Sequence, residues 1–281
     1  MTGRSTASQP GAMFDLSGES AVVIGDGTPV GIDVAVALVC AGADVTLWEP
    51  PEPRSAPDVG SDADSTPADE DRAGDTVSEV DFVKLVTERL ADLGIGNRES
   101  SLHALTVDPG SDDSVSAGFE ETCLHASVPG VLVNALAPPR YEAELFDIDM
   151  KKFRTTVEMG VLGGMLVPTR GFAAKWMQER IAGSVVTVLP SGRVRSGGGA
   201  HALPAARAAI EALTRSTASE LADFHIRVNA VVCDDDHPAG PDGAGDFAHI
   251  AAAVLYFCTA GSKAGVSGSV FTASRSEKGY V

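Results

Sequence analysis

The residues best suited to chemistry follow the apolar run at 185–189. They are one hydroxyl, one imidazole and three guanidinium side chains: Ser191, Arg193, Arg195, His201 and Arg207. Side chains of these types can orient or protonate a small molecule, and His201 is the best acid–base candidate because the pKa of imidazole lies near neutrality. A glycine-rich, solvated loop with scattered basic residues is the alternative interpretation.

Residues 183–234 form the unit that positions these side chains. The apolar run is typical of a buried parallel strand, residues 202–224 predict a helix, and residues 227–232 predict a second strand. One face of the helix carries Ala206, Ile210, Leu213, Thr217 and Leu221. The order strand, glycine-rich loop, helix, strand is that of a βαβ unit.

A second glycine turn, at 25–31, lies between the apolar runs 21–24 and 43–49 and leads into a predicted helix. This order is the context in which a helix N-terminus binds a pyrophosphate. However, Pro29 removes one N–H group from the turn and Asp26 adds a negative charge. A helix cap with an acidic residue favoured by the helix dipole is therefore the alternative interpretation.

The two units together resemble the short-chain dehydrogenase/reductase family. The turn resembles the family's Thr-Gly-x-x-x-Gly-x-Gly, with Ile24 and Pro29 in place of the threonine and the middle glycine, and residues 183–234 resemble its catalytic segment. The resemblance extends over residues 14–272 apart from an insertion. It implies an α/β fold with a single Rossmann-like, doubly wound parallel sheet of about seven strands and helices on both faces.

The resemblance places unsuitable residues at all four catalytic positions of the family. Gly160 stands at the asparagine, Pro190 at the serine, Leu203 at the tyrosine and Arg207 at the lysine. In the family the tyrosine exchanges a proton with the substrate oxygen, whereas leucine and proline side chains have no exchangeable proton. Because a positioned general acid is worth about 10²–10⁴ in rate, we expect disabled carbonyl reduction and no catalytic residue for it.

The resemblance also implies residues that surround a dinucleotide. They are Gly25, Gly31, Glu49, Asp108 and Asn134. Because the glycine turn departs from the family pattern, we expect no cofactor. If a dinucleotide does bind, the acidic Glu49 implies NAD rather than NADP. A solvated Glu49 and an Asn134 that braces neighbouring strands are the alternatives.

Composition excludes several classes of partner. The 281 residues carry a formal charge of -18, and the pI is near 4.6, which argues against nucleic acid and anionic membranes because both bind basic surfaces. The start of the chain lacks an apolar signal segment, so we expect a cytoplasmic protein. The four cysteines are widely spaced and predict reduced core thiols, with no disulfide frame or metal site. They are Cys40, Cys123, Cys233 and Cys258.

The chain predicts one domain at 13–281, after a disordered N-terminus at 1–12. An acidic insertion at about 50–78, rich in Pro, Ser, Asp and Gly, cannot bury enough apolar surface to order itself. Residues 150–181 predict one long helix with a kink at Pro168. In the family, this helix and the helix at 202–224 form subunit contacts. The resemblance therefore implies a homo-oligomer, or a hetero-oligomer with another subunit of the family.

Three functions are compatible with these observations. The first is a non-catalytic partner subunit of an active family oxidoreductase that acts on acyl thioesters or other hydroxy or keto compounds. The second is a repurposed enzyme that binds a small molecule and performs non-redox chemistry such as cyclisation, dehydration or isomerisation. The third is a residual NAD-dependent oxidoreductase in which Ser191 and Arg207 replace the lost serine and lysine.

Overall fold

The computed structural model describes residues 14–51, 82–95, 102–138, 141–189, 201–233, 247–259 and 265–273. The strands are Ser20–Ile24 (β1), Asp44–Glu49 (β2), Leu102–Thr106 (β3), Val131–Asn134 (β4), Gly183–Leu189 (β5), Ile226–Cys233 (β6) and Val270–Ala273 (β7). They form a parallel sheet in the order β3-β2-β1-β4-β5-β6-β7. The predicted doubly wound parallel sheet is confirmed.

The helices cover both faces of this sheet. The α-helices are Pro29–Cys40 (α1), Phe82–Asp92 (α2), Asp112–His125 (α3), Met150–Glu158 (α4), Val167–Glu179 (α5), Ala202–Leu221 (α6) and Ala248–Thr259 (α7). Side chains of α1, α2 and α7 pack in one core, and side chains of α3, α5 and α6 pack in the other. Because both faces are covered, the central strands are mostly apolar, with a few buried polar residues such as Thr187 and Asn229.

Alternate residues of each strand enter different cores. On β1, Ala21 and Val23 contribute to the core under α1, α2 and α7, whereas Val22 contributes to the opposite one. The opposite core contains an aromatic cluster in which the Phe172 ring centroid lies 5.3 Å from that of Trp48 and 5.5 Å from that of Trp176. Both tryptophans are fully buried. The cluster fixes α5 against the sheet.

The predicted long helix consists of α4, a π-helix at Met159–Leu166, and α5. Pro168 lies in the first turn of α5 and has no N–H group to donate to the Gly164 carbonyl, so a regular α-helix could not continue through this point. A π-helix has a wider turn with a different hydrogen-bond register. The helix therefore changes register before the proline.

Burial on the helices differs in part from the predicted faces. The buried residues of α6 are Ala202, Ala206, Ile210, Thr214, Ala218 and Leu221. Leu213 and Thr217, predicted on the buried face, are only half-buried. The difference arises because a row of residues four apart packs against the neighbouring elements, as is common at helix contacts.

The cysteines form no disulfide, and all four lie among the described residues. Cys233 and Cys258 are buried, and burial raises the pKa of the Cys258 thiol to about 12. Cys123 is half-buried and Cys40 is exposed. The prediction of core thiols was therefore wrong for Cys40, the exposed last residue of α1.

The predicted N-terminal segment at 1–12 and almost all of the insertion at 50–78 lie outside the described residues. In the part of the chain that the structure describes, none of the helices combines the length and the apolar character that crossing a lipid bilayer requires. Within the same ranges, no group of three His, Cys, Asp or Glu side chains could hold a metal ion.

Candidate functional site

The topology places a crevice at the carboxyl ends of β1 and β4. These strands are neighbours in the sheet, and the chain continues from β1 to β2 on one side and from β4 to β5 on the other. In open parallel sheets, ligands bind where the strand order reverses in this way. The candidate site therefore lies around the glycine turn after β1 and the residues that follow β4.

The glycine turn is closed by a helix cap. The Thr28 side chain accepts a hydrogen bond from the Gly31 N–H group at 3.4 Å, and Pro29 occupies the first position of α1. Desolvation raises the pKa of the Asp26 carboxyl group, although the N–H groups of Asp26 and Thr28 act in the opposite direction. Thr28 therefore caps the helix, as the alternative interpretation predicted, but the raised pKa of Asp26 does not fit an acidic residue favoured by the helix dipole.

The ring of Phe82, the first residue of α2, covers the glycine turn. A Cβ atom placed on Gly25 would lie 3.1 Å from the ring's Cε1 atom, and one placed on Gly31 would lie 3.4 Å from its Cζ atom. The same point above Gly25 lies 3.9 Å from the carbonyl oxygen of Ala135, the residue after β4. Phe82 is 0% exposed. The ring is therefore enclosed at the point where the strand order reverses.

Glu49 holds α2 in this position. Its Oε1 atom accepts a hydrogen bond from the Phe82 N–H group at 3.1 Å. Residues 25, 31 and 49, which were all predicted to surround a dinucleotide, thus all lie next to Phe82: the two glycines face its ring and Glu49 bonds its backbone. The sequence did not indicate this role of Phe82, because Phe82 lies more than thirty residues from each of these positions and helical periodicity reports only on residues within one helix.

The other two predicted binding residues have separate structural roles. Asp108, which follows β3, is exposed, and its Oδ1 atom accepts a hydrogen bond from the Gly110 N–H group at 2.9 Å. Asn134, at the end of β4, is buried and donates from Nδ2 to the Thr187 hydroxyl on β5 at 3.3 Å. Asn134 therefore braces two neighbouring strands, which is the alternative that its position suggested.

Three of the four family catalytic positions line one small cavity. Gly160, Leu203 and Arg207 contribute to its wall. The other lining residues are Leu136, Pro138, Gly164, Thr187, Val188, Leu189, Ala206 and Ile210. The cavity volume is about 10 Å³, which is about what one water molecule requires. The three positions that the resemblance assigns to catalytic residues thus lie close together in the structure.

The polar groups around this cavity are engaged with other protein groups. The Arg207 Nε atom lies 2.8 Å from Oε1 of Glu211, one turn along α6. The Thr187 hydroxyl accepts the hydrogen bond from Asn134. Thr187 was missed in the sequence because its position within the run GSVVTVL predicts only a buried strand. Its polar character within that apolar run is the one signal that could have identified it.

The remaining chemistry-bearing residues are not brought into the cavity by the described structure. His201 is exposed at the start of α6 and does not line the cavity. Pro190, Ser191, Arg193 and Arg195 lie outside the described residues. The acid–base role considered for His201 therefore receives no support from the geometry.

A family model described as "Enoyl-(Acyl carrier protein) reductase" matches residues 71–234, more than half of the chain. No curated protein sequence matches the chain. A short-chain type dehydrogenase/reductase from Mycobacterium marinum has a similar structure, with a TM-score of 0.71 at 20% identity, over 93% of this chain and 95% of that one. A short chain dehydrogenase from Mycobacterium smegmatis gives 0.68 at 21% identity, over 95% of both chains.

A third similar structure comes from Agrobacterium tumefaciens and is assigned as a 2-deoxy-d-gluconate 3-dehydrogenase with bound NADP. Its TM-score is 0.65 at 21% identity, over 92% of this chain and 96% of that one. The prediction of no cofactor, with NAD rather than NADP as the second choice, was therefore wrong. Pro29 is a weak argument against a dinucleotide. The N–H group that it lacks lies at the first helical position, where an N–H group has no partner within the helix, so the helix loses no hydrogen bond.

The fit of a dinucleotide to the residues of this chain is incomplete. The N-terminus of α1 has the position that a pyrophosphate requires. However, the Phe82 ring lies against Gly25 and Gly31, and Oε1 of Glu49 is bonded to the backbone of α2. A dinucleotide would therefore meet the Phe82 ring at the glycine turn and a carboxylate that is already hydrogen-bonded.

Proposed function

Because the chain belongs to the short-chain dehydrogenase/reductase family of Rossmann-fold oxidoreductases, we propose that it is a non-catalytic subunit that assembles with a catalytically intact member of the family. The partner would be the oxidoreductase, and its substrates would be acyl thioesters or other hydroxy or keto compounds. The role of this chain would be to stabilise the assembly or to supply a surface to it.

The composition of the cavity at the family's catalytic positions carries this proposal. Leu203, at the tyrosine position, provides no proton, and Arg207, at the lysine position, is paired with Glu211. A positioned general acid accounts for about 10²–10⁴ in rate, so its loss leaves little carbonyl reduction.

The packing around Gly160 provides further support. A Cβ atom on this residue would lie 3.2 Å from Cβ of Ala206 and 3.4 Å from Cγ of Pro138. An asparagine side chain at this position would therefore press on α6. Gly160, which stands at the family's asparagine position, lies in a tight contact between helices.

The exposed apolar surface supports an assembly. Of the thirteen large hydrophobic side chains that are exposed in the described ranges, five lie in one stretch of 18 residues. They are Leu145, Phe146, Met150, Met159 and Leu162. Large exposed apolar patches commonly mark protein contacts, and this stretch supplies apolar side chains for such a contact. The stretch includes α4, which packs on α6, and both helices are expected at subunit contacts.

The experiment compares the purified chain alone with a mixture of the chain and an intact family member from the same genome. We expect the chain alone to leave NADH and NADPH unconsumed across a panel of ketones and acyl thioesters. In the mixture, native mass spectrometry should detect a hetero-oligomer, with a rate or a thermal stability above that of the intact member alone.

Surface variants test the face that mediates the assembly. Phe146→Asp and Leu162→Asp should each abolish the hetero-oligomer, because a carboxylate buried in an apolar contact is costly. Leu124→Asp is the matched control, since Leu124 is 82% exposed on α3. Consumption of NADPH by the chain alone at a rate typical of the intact member would contradict the proposal.

A further inference from the structure

Phe82 lies against the glycine turn at the crevice that the topology assigns to a ligand. Its ring lies beside Gly25 and Gly31, two of the three glycines of the turn, and its backbone N–H group is bonded to the carboxylate at the end of β2. In doubly wound folds, a nucleotide's pyrophosphate lies on the helix after β1, and an acidic residue about twenty positions on binds the ribose. Gly25 and Glu49 correspond to these two positions in the sequence. Phe82 therefore lies next to both of these groups.

We infer that Phe82 is an internal competitor of a nicotinamide dinucleotide, and that the first turn of α2 has to leave Glu49 before NAD(P) enters the crevice. Two contacts compete at once. The ring takes the space beside the glycine turn, and the helix backbone takes a hydrogen-bonding position on the carboxylate that a ribose hydroxyl would use.

We call the arrangement with Phe82 against the glycine turn closed, and the one with Phe82 released open. The burial of Phe82 favours the closed arrangement. The side chain is 0% exposed and belongs to the core that contains α1, α2 and α7. Releasing it exposes an aromatic ring to water, so the open arrangement is a minor population. The apparent affinity for a ligand is reduced in proportion to the population of the binding-competent state. Phe82 therefore determines how tightly this chain binds a dinucleotide.

The test is a calorimetric titration of the full chain with NADPH and with NADH. Phe82→Ala should lower the Kd at least tenfold relative to the unsubstituted chain, because it removes the ring and leaves the glycine turn and Glu49 unchanged. Val86→Ala is the matched control: Val86 is also 0% exposed and lies one turn further along α2. It should reduce stability while leaving the Kd within twofold.

Equal affinities for Phe82→Ala and the unsubstituted chain, or no binding by either at millimolar dinucleotide, would overturn the inference. If Phe82→Ala does not unfold cooperatively on heating, Phe82→Leu replaces it, with an expected decrease in Kd of about threefold. Since the titration needs neither a partner nor a substrate, its failure would leave the proposed assembly unaffected.

Hydrogen exchange on the unsubstituted chain provides an independent measurement. The Phe82 amide is bonded to Glu49 in the closed arrangement, and its exchange should accelerate several-fold at saturating NADPH. Exchange in α5, which packs in the core on the other face of the sheet from α2, should not change. Bound NADPH with an unchanged Phe82 amide would refute the competition.

Discussion

At the residue scale, two small regions differ in what fills them. At the positions that resemble the family's catalytic residues, no side chain extends from Gly160, and a Cβ atom there would lie 3.2 Å from Cβ of Ala206. At the glycine turn, the ring of Phe82 lies beside Gly25. The first feature is visible in the sequence because Gly160 can be aligned with the family. The second depends on a contact between Gly25 and a residue beyond the insertion.

Asp26 provides a prediction about pH at the glycine turn. Desolvation raises the pKa of its carboxyl group above the ordinary value of 3.8. A carboxyl group whose pKa is higher in the folded than in the unfolded chain stabilises the fold below the unfolded-state pKa, and this contribution is lost as the pH rises through the folded-state pKa. At neutral pH the ionised Asp26 therefore reduces stability.

We expect Asp26→Asn to raise the free energy of unfolding at pH 7, with a smaller difference from the unsubstituted chain as the pH falls toward 4. Urea unfolding at several pH values measures this difference. Asp113→Asn is the control, because Asp113 is exposed, as Asp26 is, and lies in the first turn of another helix, α3. A gain that is equal at every pH would contradict the assigned cause.

At the element scale, α6 and the helix that precedes β5 determine the shape of the catalytic region. The π-helix places Gly160, Gly163 and Gly164 inside a helix that packs on α6. The sequence predicted one long helix here, and its proline and glycines indicated an irregularity. The π register itself could not be predicted, because it results from packing between elements and from the missing N–H group of Pro168.

Gly160→Asn tests this packing. The new Cβ atom would lie 3.2 Å from Cβ of Ala206, which is attached directly to the backbone of α6 and cannot rotate away. Overpacking of this kind costs about 1–3 kcal/mol, and urea unfolding should show a loss in this range.

A second substitution separates overpacking from other effects of the asparagine. Ala206→Gly alone should cost about 0.5–1 kcal/mol, but it should recover part of the stability of Gly160→Asn when the two are combined. This coupling is the expected result of a direct contact. Additive losses would show that Ala206 does not limit the space at Gly160.

At the scale of the whole molecule, the sequence was sufficient to predict the sheet. Strands such as Val131–Asn134 and Gly183–Leu189 are apolar because both faces are buried, and turns with glycine or proline separate them from the helices. Two aspects were not predictable: which helix residue reaches the crevice, and how far the helices close over the catalytic positions. Both depend on distances between elements, which residue periodicity does not contain.

The charge of the whole chain gives a prediction about salt. A formal charge of -18 produces repulsion that favours the unfolded state, and salt screens it. Raising sodium chloride from 20 mM to 500 mM at pH 7.5 should increase the melting temperature by about 2–4 °C, which corresponds to about 1 kcal/mol for a chain of this size. At pH 5, close to the pI of 4.6, the increase should disappear, and an equal increase at both pH values would contradict this explanation.

The location of the two tryptophans has a consequence for spectroscopy. Trp48 and Trp176 flank Phe172 in the core under α3, α5 and α6, and the chain contains no other tryptophan. Its indole emission therefore reports on only one face of the sheet. Unfolding of that face should shift the tryptophan emission to longer wavelength. The release of Phe82 on the opposite face should leave the emission wavelength unchanged.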